Sequence, residues 1–239
     1  LLCLPIRYIA GKMMLVRALV LGLHLDIIPP KTKLTIEKDY TFAALIPLQA
    51  NASFDVLGRF KTVLIGGAPI PTDLRKRISK KYKHCIETYG MTETLTHVAT
   101  RIVSDAVIPF KVMPGIGIAT DENDRLVLEV PYLPLSPLVT QDVVRLEGRD
   151  SFRLFGRRDW VINSGGMKIF PEALEEVLTP FIKFPFFFTA LPDANLGEQL
   201  VLLVEAPATE KTAIMAIAQQ HLGANKHHIP KQVICMDAF

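Results

Sequence analysis

Apolar runs broken by glycine and proline turns dominate the first half of the chain. The run Thr62–Ile65 is continuous and apolar, as in a central strand buried on both faces, and Gly66-Gly67 ends it abruptly. A helix is predicted next, capped by Thr72 and running through Tyr82, and a second strand follows over Cys85–Thr88. This order of strand, glycine turn, helix and strand predicts a parallel sheet with crossover helices. Ligands of such sheets bind beyond the carboxyl ends of the strands.

From Gly115 the pattern changes to short alternating segments joined by polar turns. Two antiparallel hairpins are predicted from four of these segments. They are Gly117–Ala119 with Leu126–Val130, and Asp142–Leu146 with Ser151–Phe155. Beyond Asp159 strand and helix patterns alternate, as in a separate small α+β unit. Strands are predicted at Trp160–Asn163, Phe186–Ala190 and Gln199–Glu205, and helices at Pro171–Leu178 and Glu210–Leu222.

The predicted fold class is therefore α/β, with a parallel-sheet core, an antiparallel β subdomain and a small C-terminal α+β domain. We place the domain boundary at Asp159, so that residues 1–158 belong to a large domain and residues 159–239 to a small one. A further helix is predicted between Gly11 and Gly22, because apolar side chains cover much of its circumference.

Composition narrows the functional classes. Of 239 residues, 49% are apolar and 21% charged, which excludes wholesale disorder. The net charge of +3 is small and the basic residues are dispersed, which argues against a nucleic-acid partner. The densest basic cluster is interpreted as the solvated face of the helix that begins at Thr72. Its members are Arg75, Lys76, Arg77, Lys80, Lys81 and Lys83.

The apolar run Ile9–Leu25 raises the question of a membrane span. Lys12, Arg17 and His24 interrupt it, so no uncharged stretch of about 20 residues remains and a soluble helix fits better. The three cysteines are widely spaced and flanked by apolar residues, a pattern typical of buried thiols in a reducing cytosol. We therefore expect a cytoplasmic protein without membrane insertion.

Two motifs of the first half carry candidate chemistry. In Tyr89-Gly90-Met91-Thr92-Glu93-Thr94, the hydroxyls can bind phosphate oxygens and the carboxylate can hold Mg²⁺. On spacing alone, a strand-to-loop turn whose Thr and Glu cap the next segment explains this motif equally well. In Gly66-Gly67-Ala68, the glycines form either a flat surface for an aromatic base or a tight strand-to-helix turn.

Two motifs of the second half add to these. In Thr140-Gln141-Asp142, the carboxylate either accepts both hydroxyls of a ribose or serves as a turn residue. The second motif is Gly156-Arg157-Arg158-Asp159, followed closely by Ser164–Pro171. It offers a cationic side chain for a nucleotide, a hinge-like junction and a glycine turn open to a ligand.

In this order and at these distances, the four motifs resemble the adenylate-forming superfamily of acyl-CoA synthetases, luciferases and nonribosomal adenylation domains. The resemblance runs from the first residue to the last. It implies that a carboxylate attacks the α-phosphorus of ATP, and that the thiol of coenzyme A then displaces AMP from the acyl-adenylate. It also implies a small carboxylic acid as substrate, Mg²⁺ as cofactor, and a homodimer.

The resemblance assigns roles to individual residues. Thr92 would bond the α-phosphate, Glu93 would hold the metal, and Asp159 would be the hinge of the small domain. Lys168 does not match the superfamily's catalytic lysine. The remaining binding residues are Gly66, Gly67 and Ala68 against adenine and the acyl group, Tyr89 on the adenine, Gly90 and Met91 in the same loop, Asp142 and Arg157 at the ribose, and Gly165 and Gly166 along the pantetheine tunnel.

The segment Leu4–Met14 is similar to the one that lines the acyl pocket in this superfamily. Together with Ile162–Ile169, its amino-acid sequence resembles that of bacterial o-succinylbenzoate–CoA ligases of menaquinone biosynthesis, although other aryl or acyl acids remain alternative substrates. Tyr8 stands where many of these relatives have His. Arg7 or Lys12 pairs with a second carboxylate of the acid in one interpretation, and both extend to solvent from an apolar helix in the other.

Two parts of the superfamily pattern have no match in the chain. The phosphate loop is expected before Leu1 and the catalytic lysine beyond Phe239, and neither Lys226 nor Lys231 is at the matching position. We therefore expect a piece of an enzyme that is weak or inactive in adenylation. The alternatives are a remnant that binds nucleotide without catalysis, and a domain that passes the acyl group to a carrier protein.

Overall fold

The computed structural model describes the whole chain, Leu1–Phe239. The helices are α1 (Ile9–Leu21), α2 (Pro47–Ala52), α3 (Thr72–Lys81), α4 (Pro171–Leu178) and α5 (Lys211–Leu222). The first sheet contains β1 (Tyr40–Leu45), β2 (Phe60–Ile65), β3 (Cys85–Gly90), β4 (His97–Ile102), β5 (Phe110–Val112), β6 (Gly117–Thr120), β7 (Arg125–Glu129), β8 (Leu138–Leu146) and β9 (Ser151–Arg157). The second contains β10 (Ile162–Ser164), β11 (Met167–Ile169), β12 (Phe186–Asp193), β13 (Gly197–Glu205) and β14 (Gln232–Met236).

The first sheet has nine strands in the order β1-β2-β3-β4-β5-β9-β8-β7-β6. Its first three strands are parallel, and Ile65 of β2 pairs with Leu45 on one side and Glu87 on the other. The helix α3 connects β2 to β3, so the predicted parallel core with a crossover helix is confirmed. The strands β4 and β5, which the sequence pattern did not predict, pair antiparallel after β3. The predicted hairpin strands therefore continue the same hydrogen-bonded sheet.

The second sheet follows the order β11-β10-β13-β12, and β14 pairs with β13 in parallel. The helix α4 begins at Pro171, where a missing N–H costs no hydrogen bond, and it has the predicted bounds. The helices and the sheet enclose a core of buried apolar side chains. Among its members are Ile169, Leu174, Leu178, Leu200, Leu202, Ile214, Ala218 and Val233.

Several predicted boundaries need correction, among them the end of α3 at Lys81 rather than Tyr82 and the start of α5 at Lys211 rather than Glu210. The helix α1 begins at Ile9 rather than Gly11. Thr72 is not a cap, because the carbonyl of Pro71 accepts the first intrahelical hydrogen bond from the Arg75 N–H at 2.9 Å. Trp160 lies in a 3₁₀ turn rather than a strand. In each case apolar periodicity marked the element, while the hydrogen bonds that define its end depend on backbone geometry.

The chain divides into two compact units. The first contains Leu1–Ala119, Val127–Leu138 and Leu146–Arg153, and the second contains Thr120–Leu126, Val139–Arg145 and Leu154–Phe239. The domain boundary that we place at Asp159 stays a prediction. None of the helices combines the length and apolar character that crossing a membrane requires.

A buried carboxylate lies in the first sheet. Glu87 on β3 accepts two hydrogen bonds at Oε2, from Nη1 of Arg75 at 2.9 Å and from Nε of Arg101 at 2.7 Å. None of the three side chains is more than 8% exposed. The interpretation of the basic cluster as a solvated face is therefore wrong for Arg75, because α3 packs that side chain with Leu74 and Ile78. The other members of the cluster are exposed.

Burial by itself raises the pKa of Glu87. The hydrogen bonds and charges of Arg101 and Arg75 outweigh burial, so the pKa lies below its ordinary value of 4.5. The stabilisation from this carboxylate is therefore complete above the unfolded pKa and is lost as the pH falls through the folded pKa.

We expect Glu87→Gln to lower the free energy of unfolding by about 3 kcal/mol at pH 7, because two buried guanidinium groups lose their counter-charge. Urea denaturation followed by circular dichroism measures this loss. The difference in the free energy of unfolding between Glu87→Gln and the wild type should become smaller only below about pH 4.5.

The matched control is Asp150→Asn, which breaks the exposed pair with Lys111 and should cost less than about 1 kcal/mol. A loss of similar size in both variants would contradict the special role of the buried carboxylate.

Candidate functional site

The glycine turn after β2 lies directly beside β3. A Cβ added at Gly66 would collide with Oγ1 of Thr88, so only glycine leaves room for that hydroxyl. Gly67 has a φ of +85°, in the left-handed region that favours glycine, and Ala68 is exposed. The two parallel strands thus end side by side, and the turn after β2 lies directly against Thr88 of β3.

The loop after β3 is held together by hydrogen bonds of its own. Gly90 approaches the next strand closely, since an added Cβ would lie 2.6 Å from the carbonyl oxygen of Thr96. Thr94 is buried, and its Oγ1 accepts a hydrogen bond from the Met91 N–H at 3.0 Å. Thr92 and Glu93 begin a 3₁₀ turn and are exposed. The capping role that sequence alone left open therefore belongs to Thr94, which leaves Thr92 and Glu93 accessible to a ligand.

Tyr89 is held by two phenylalanine rings. Its ring centroid lies 5.8 Å from that of Phe110 and 5.2 Å from that of Phe152, the latter in an edge-on arrangement. Only 8% of the residue is exposed. Tyr89 therefore has a well-defined ring orientation at the end of β3.

Three cations on or just before α1 have different surroundings. Arg7 and Lys12, the residues predicted at the acyl pocket, are exposed, and Arg7 lies over the neighbouring Tyr8 ring at 4.8 Å. Arg17 is half-buried instead, and it contacts Oγ1 of Thr96, in the loop after β3, at 3.3 Å and Nδ1 of His97, the first residue of β4, at 3.4 Å.

Sequence reasoning noted Arg17 only as an interruption of an apolar run. Its position three residues after the buried Met14, which keeps it near the buried face of α1, was the available signal. Burial lowers the pKa of Arg17, and burial together with the charge of Arg17 lowers the pKa of His97. The structure thus brings a partly desolvated cation to the same loop as Thr92 and Glu93.

The second compact unit contains Asp142, Arg157 and Asp159. Asp142 is buried in β8, and its N–H donates to Oγ1 of Thr140 at 3.1 Å. Arg157 forms a two-point ion pair with Asp159, from Nε at 3.0 Å and from Nη2 at 2.8 Å. The hydrogen bond from Arg157 lowers the pKa of Asp159. The N–H of Arg157 also donates to Oε1 of Glu172 at 3.4 Å.

The turn between β10 and β11 consists of Gly165 and Gly166. Their φ values are +57° and +80°, so both positions favour glycine, and both are exposed. The N–H of Gly165 donates to the carbonyl of Leu196 at 2.9 Å. Lys168 is exposed on β11.

The predicted site residues thus form two groups. In the first unit, Gly66, Gly67 and Ala68 follow β2, the Tyr89–Glu93 segment ends and follows the neighbouring β3, and Arg17 contacts Thr96 in the loop after β3. Asp142, Arg157, Asp159, Gly165 and Gly166 belong to the second unit. Each group offers part of the donor and acceptor set that a nucleotide requires.

The family described as AMP-binding enzyme matches residues 1–134, and the chain belongs to this family. The superfamily resemblance is thereby confirmed. A curated 2-succinylbenzoate–CoA ligase from Salmonella typhimurium is 27% identical over 225 residues, covering 86% of this chain and 49% of the relative. One from Lactococcus lactis is 26% identical over 218 residues, covering 81% and 47%. The chain spans about half the length of the curated relatives that it matches.

Solved structures agree with this membership. An acyl-CoA synthetase (AMP-forming)/AMP-acid ligase II-like protein from Dyadobacter fermentans is 32% identical, with a TM-score of 0.59, and the match covers 100% of this chain and 72% of that one. The o-succinylbenzoate CoA synthetase from Bacillus subtilis, solved with its acyl-adenylate intermediate, has a TM-score of 0.78 at 17% identity, over 99% of this chain and 57% of that one. The second likeness concerns the fold alone.

We expect Gly66→Ala to destabilise the protein by about 1–3 kcal/mol, because the new methyl group collides with the Thr88 hydroxyl. Thermal unfolding measures the loss. Thr88→Ala in the same chain should recover most of it, since it removes the nearest obstructing atom. If Gly66→Ala destabilises the protein equally in the wild-type and the Thr88→Ala background, the Thr88 hydroxyl is not the group with which the new methyl collides.

Proposed function

We propose that this chain is part of an ATP-dependent acid–CoA ligase, which forms an acyl-adenylate and then an acyl-CoA thioester, with o-succinylbenzoate as its acid. The observation that carries the proposal is the exposed pair Thr92 and Glu93 directly beyond β3, the strand against which the glycine turn after β2 lies. This is the edge of a parallel sheet at which ligands bind. Membership in the AMP-binding family and the names of the curated relatives support it.

In the first step, the carboxylate of the acid attacks the α-phosphorus of ATP, pyrophosphate leaves and an acyl-adenylate forms. The Thr92 hydroxyl donates to the α-phosphate. Gly66, Gly67 and Ala68 present backbone to the adenine and the acyl group, while Tyr89 stacks on the adenine. Catalysis then rests mainly on orientation of the two reactants and on neutralisation of phosphate charge.

The oxygen donors at this loop fit a hard cation such as Mg²⁺, which commonly takes one or two carboxylates together with phosphate oxygens. Glu93 would hold the ion, and its exposed carboxylate lies next to Thr92 in the chain. When bound, the ion supplies positive charge to the phosphates.

In the second step, the thiol of coenzyme A attacks the acyl carbonyl and AMP leaves. Asp142 and Arg157 hold the ribose hydroxyls, and Asp159 is the hinge between the two catalytic states. Gly165 and Gly166 line the path of the pantetheine arm, and their exposed backbone supports this role because a ligand can approach it closely.

Recognition of the acid involves Arg17 rather than Arg7 or Lys12. A second carboxylate binds best to a guanidinium that is already partly desolvated and oriented by neighbours. Arg17 meets this description through Thr96 and His97, while Arg7 and Lys12 are exposed. A cytoplasmic location and a homodimer remain further predictions.

The test of the function is AMP release that depends on ATP and coenzyme A, measured with the complete product of the gene. We expect it to prefer o-succinylbenzoate strongly over benzoate and medium-chain fatty acids. Preference for another acid would leave the ligase mechanism and exclude the assigned substrate. Nucleotide binding without AMP release by the complete product would indicate a non-catalytic protein.

We expect Arg17→Met in the complete product to raise KM for o-succinylbenzoate roughly tenfold or more, because a hydrogen-bonded ion pair with the second carboxylate is lost. The value of kcat should change little. Lys12→Met, on the same helix but exposed, is the control and should leave KM unchanged. Activity with benzoate, which has no second carboxylate, should not respond to Arg17→Met. A similar rise of KM in both variants would exclude Arg17 as the specific contact.

A further inference from the structure

Three aromatic rings form a cluster at the end of β3, which we call the aromatic cluster: Tyr89, Phe110 and Phe152. Phe110 and Phe152 are stacked, with centroids 5.7 Å apart and planes inclined by 25°. Both rings contact Tyr89. The orientation of the Tyr89 ring therefore depends on where the Phe110 and Phe152 rings lie.

Arg101 fixes one of these rings from outside the cluster. Its guanidinium carbon lies over the face of Phe110, 4.1 Å from the ring centroid. Its Nε donates to Glu87 at 2.7 Å and its Nη1 to the carbonyl of Ile108 at 3.0 Å. Contacts to a strand, a loop and a ring hold the planar group in one orientation.

Charge balance does not explain the presence of Arg101. Arg75 already lies 2.9 Å from the same carboxylate oxygen of Glu87 and suffices to neutralise it. The second guanidinium gives the buried group a net positive charge, which is a cost in a buried environment. Arg101 adds two contacts that Arg75 does not make, the hydrogen bond to the Ile108 carbonyl and the cation–π contact with Phe110, and only the second reaches the aromatic cluster.

We propose that Arg101 is a positioning residue: anchored by Glu87, it fixes Phe110 and thereby the ring of Tyr89 on which the adenine stacks. Arg101 itself contacts no nucleotide in this proposal. The inference rests on the proposed function, since it assigns Tyr89 to the adenine.

The test uses Arg101→Lys in the complete gene product, which keeps the charge near Glu87 but removes the planar group from Phe110. Calorimetric titration compares ATP with ribose 5-triphosphate, which has no base. We expect the affinity for ATP to fall about fivefold, a fraction of what stacking a base on an aromatic ring contributes. The affinity for the base-free ligand should stay the same. A loss of fold would lower both affinities together.

Phe110→Leu is the second variant, because it removes the clamped ring and leaves the ion pairs of Glu87 intact. It should show the same selective loss for ATP. Arg153→Lys is the matched control: Arg153 lies on β9, next to β5, and its guanidinium pairs with Glu147 at 2.7 Å rather than with an aromatic ring. Equal effects on both ligands, no effect in Arg101→Lys, or an equal effect in Arg153→Lys would each overturn the proposal.

A second readout needs no ligand. With fluorotyrosine incorporated, the ¹⁹F resonance of Tyr89 is identified by its loss in Tyr89→Phe. This resonance should shift in Arg101→Lys and stay in place in Arg153→Lys. An unshifted resonance in Arg101→Lys overturns the proposal that Arg101 positions the Tyr89 ring. If the wild-type protein binds no ATP, the proposed function fails and the adenine role falls with it, while the resonance still reports whether Arg101 orients the ring.

Discussion

The carboxylate of Glu87 joins α3, β3 and β4 through Arg75 and Arg101. A charge buried this deeply is tolerated only with partners in good geometry, so the three elements have to keep their relative positions. The motif from Tyr89 to Thr94 begins two residues further along β3. Its backbone therefore starts from a strand whose register is set by ion pairs as well as by the sheet.

Close backbone approach is the second constraint on the same region. Gly66 leaves space for the Thr88 hydroxyl, and Gly90 leaves space for the carbonyl of Thr96. The turn after β2 thereby lies directly against β3, and the connection after β3 folds closely back on the end of that strand. In the loop after β3, the hydroxyl of Thr94 accepts the hydrogen bond from the Met91 N–H. The side chains of Thr92 and Glu93 are therefore not needed for this bond and lie in solvent. The glycines are thus part of the architecture as well as of the proposed adenine surface.

The candidate residues belong to two compact units, and each unit presents its own chemistry. The first offers hydroxyl, carboxylate and aromatic groups, suited to phosphate, metal and base. The second offers the two-point pair of Arg157 with Asp159 and an open glycine turn. In the proposed two-step reaction, the first unit would serve mainly the chemistry at phosphorus, and the glycine turn of the second would serve thioester formation.

The sequence by itself determined the local elements and the motifs between them. The strands around Thr62–Ile65 and Cys85–Thr88 and the helix Pro171–Leu178 were predictable because their signals are short-range: apolar periodicity, a glycine stop, a proline start.

Only the tertiary structure decided that Arg75 is buried and that Arg17 reaches the loop after β3. Their partners lie 12 and 79 residues away. The same holds for β4, β5 and β14, whose short segments become strands through pairing with strands already in place. A charged side chain is buried only where a partner offsets the loss of its hydration, and the fold decides where that partner lies.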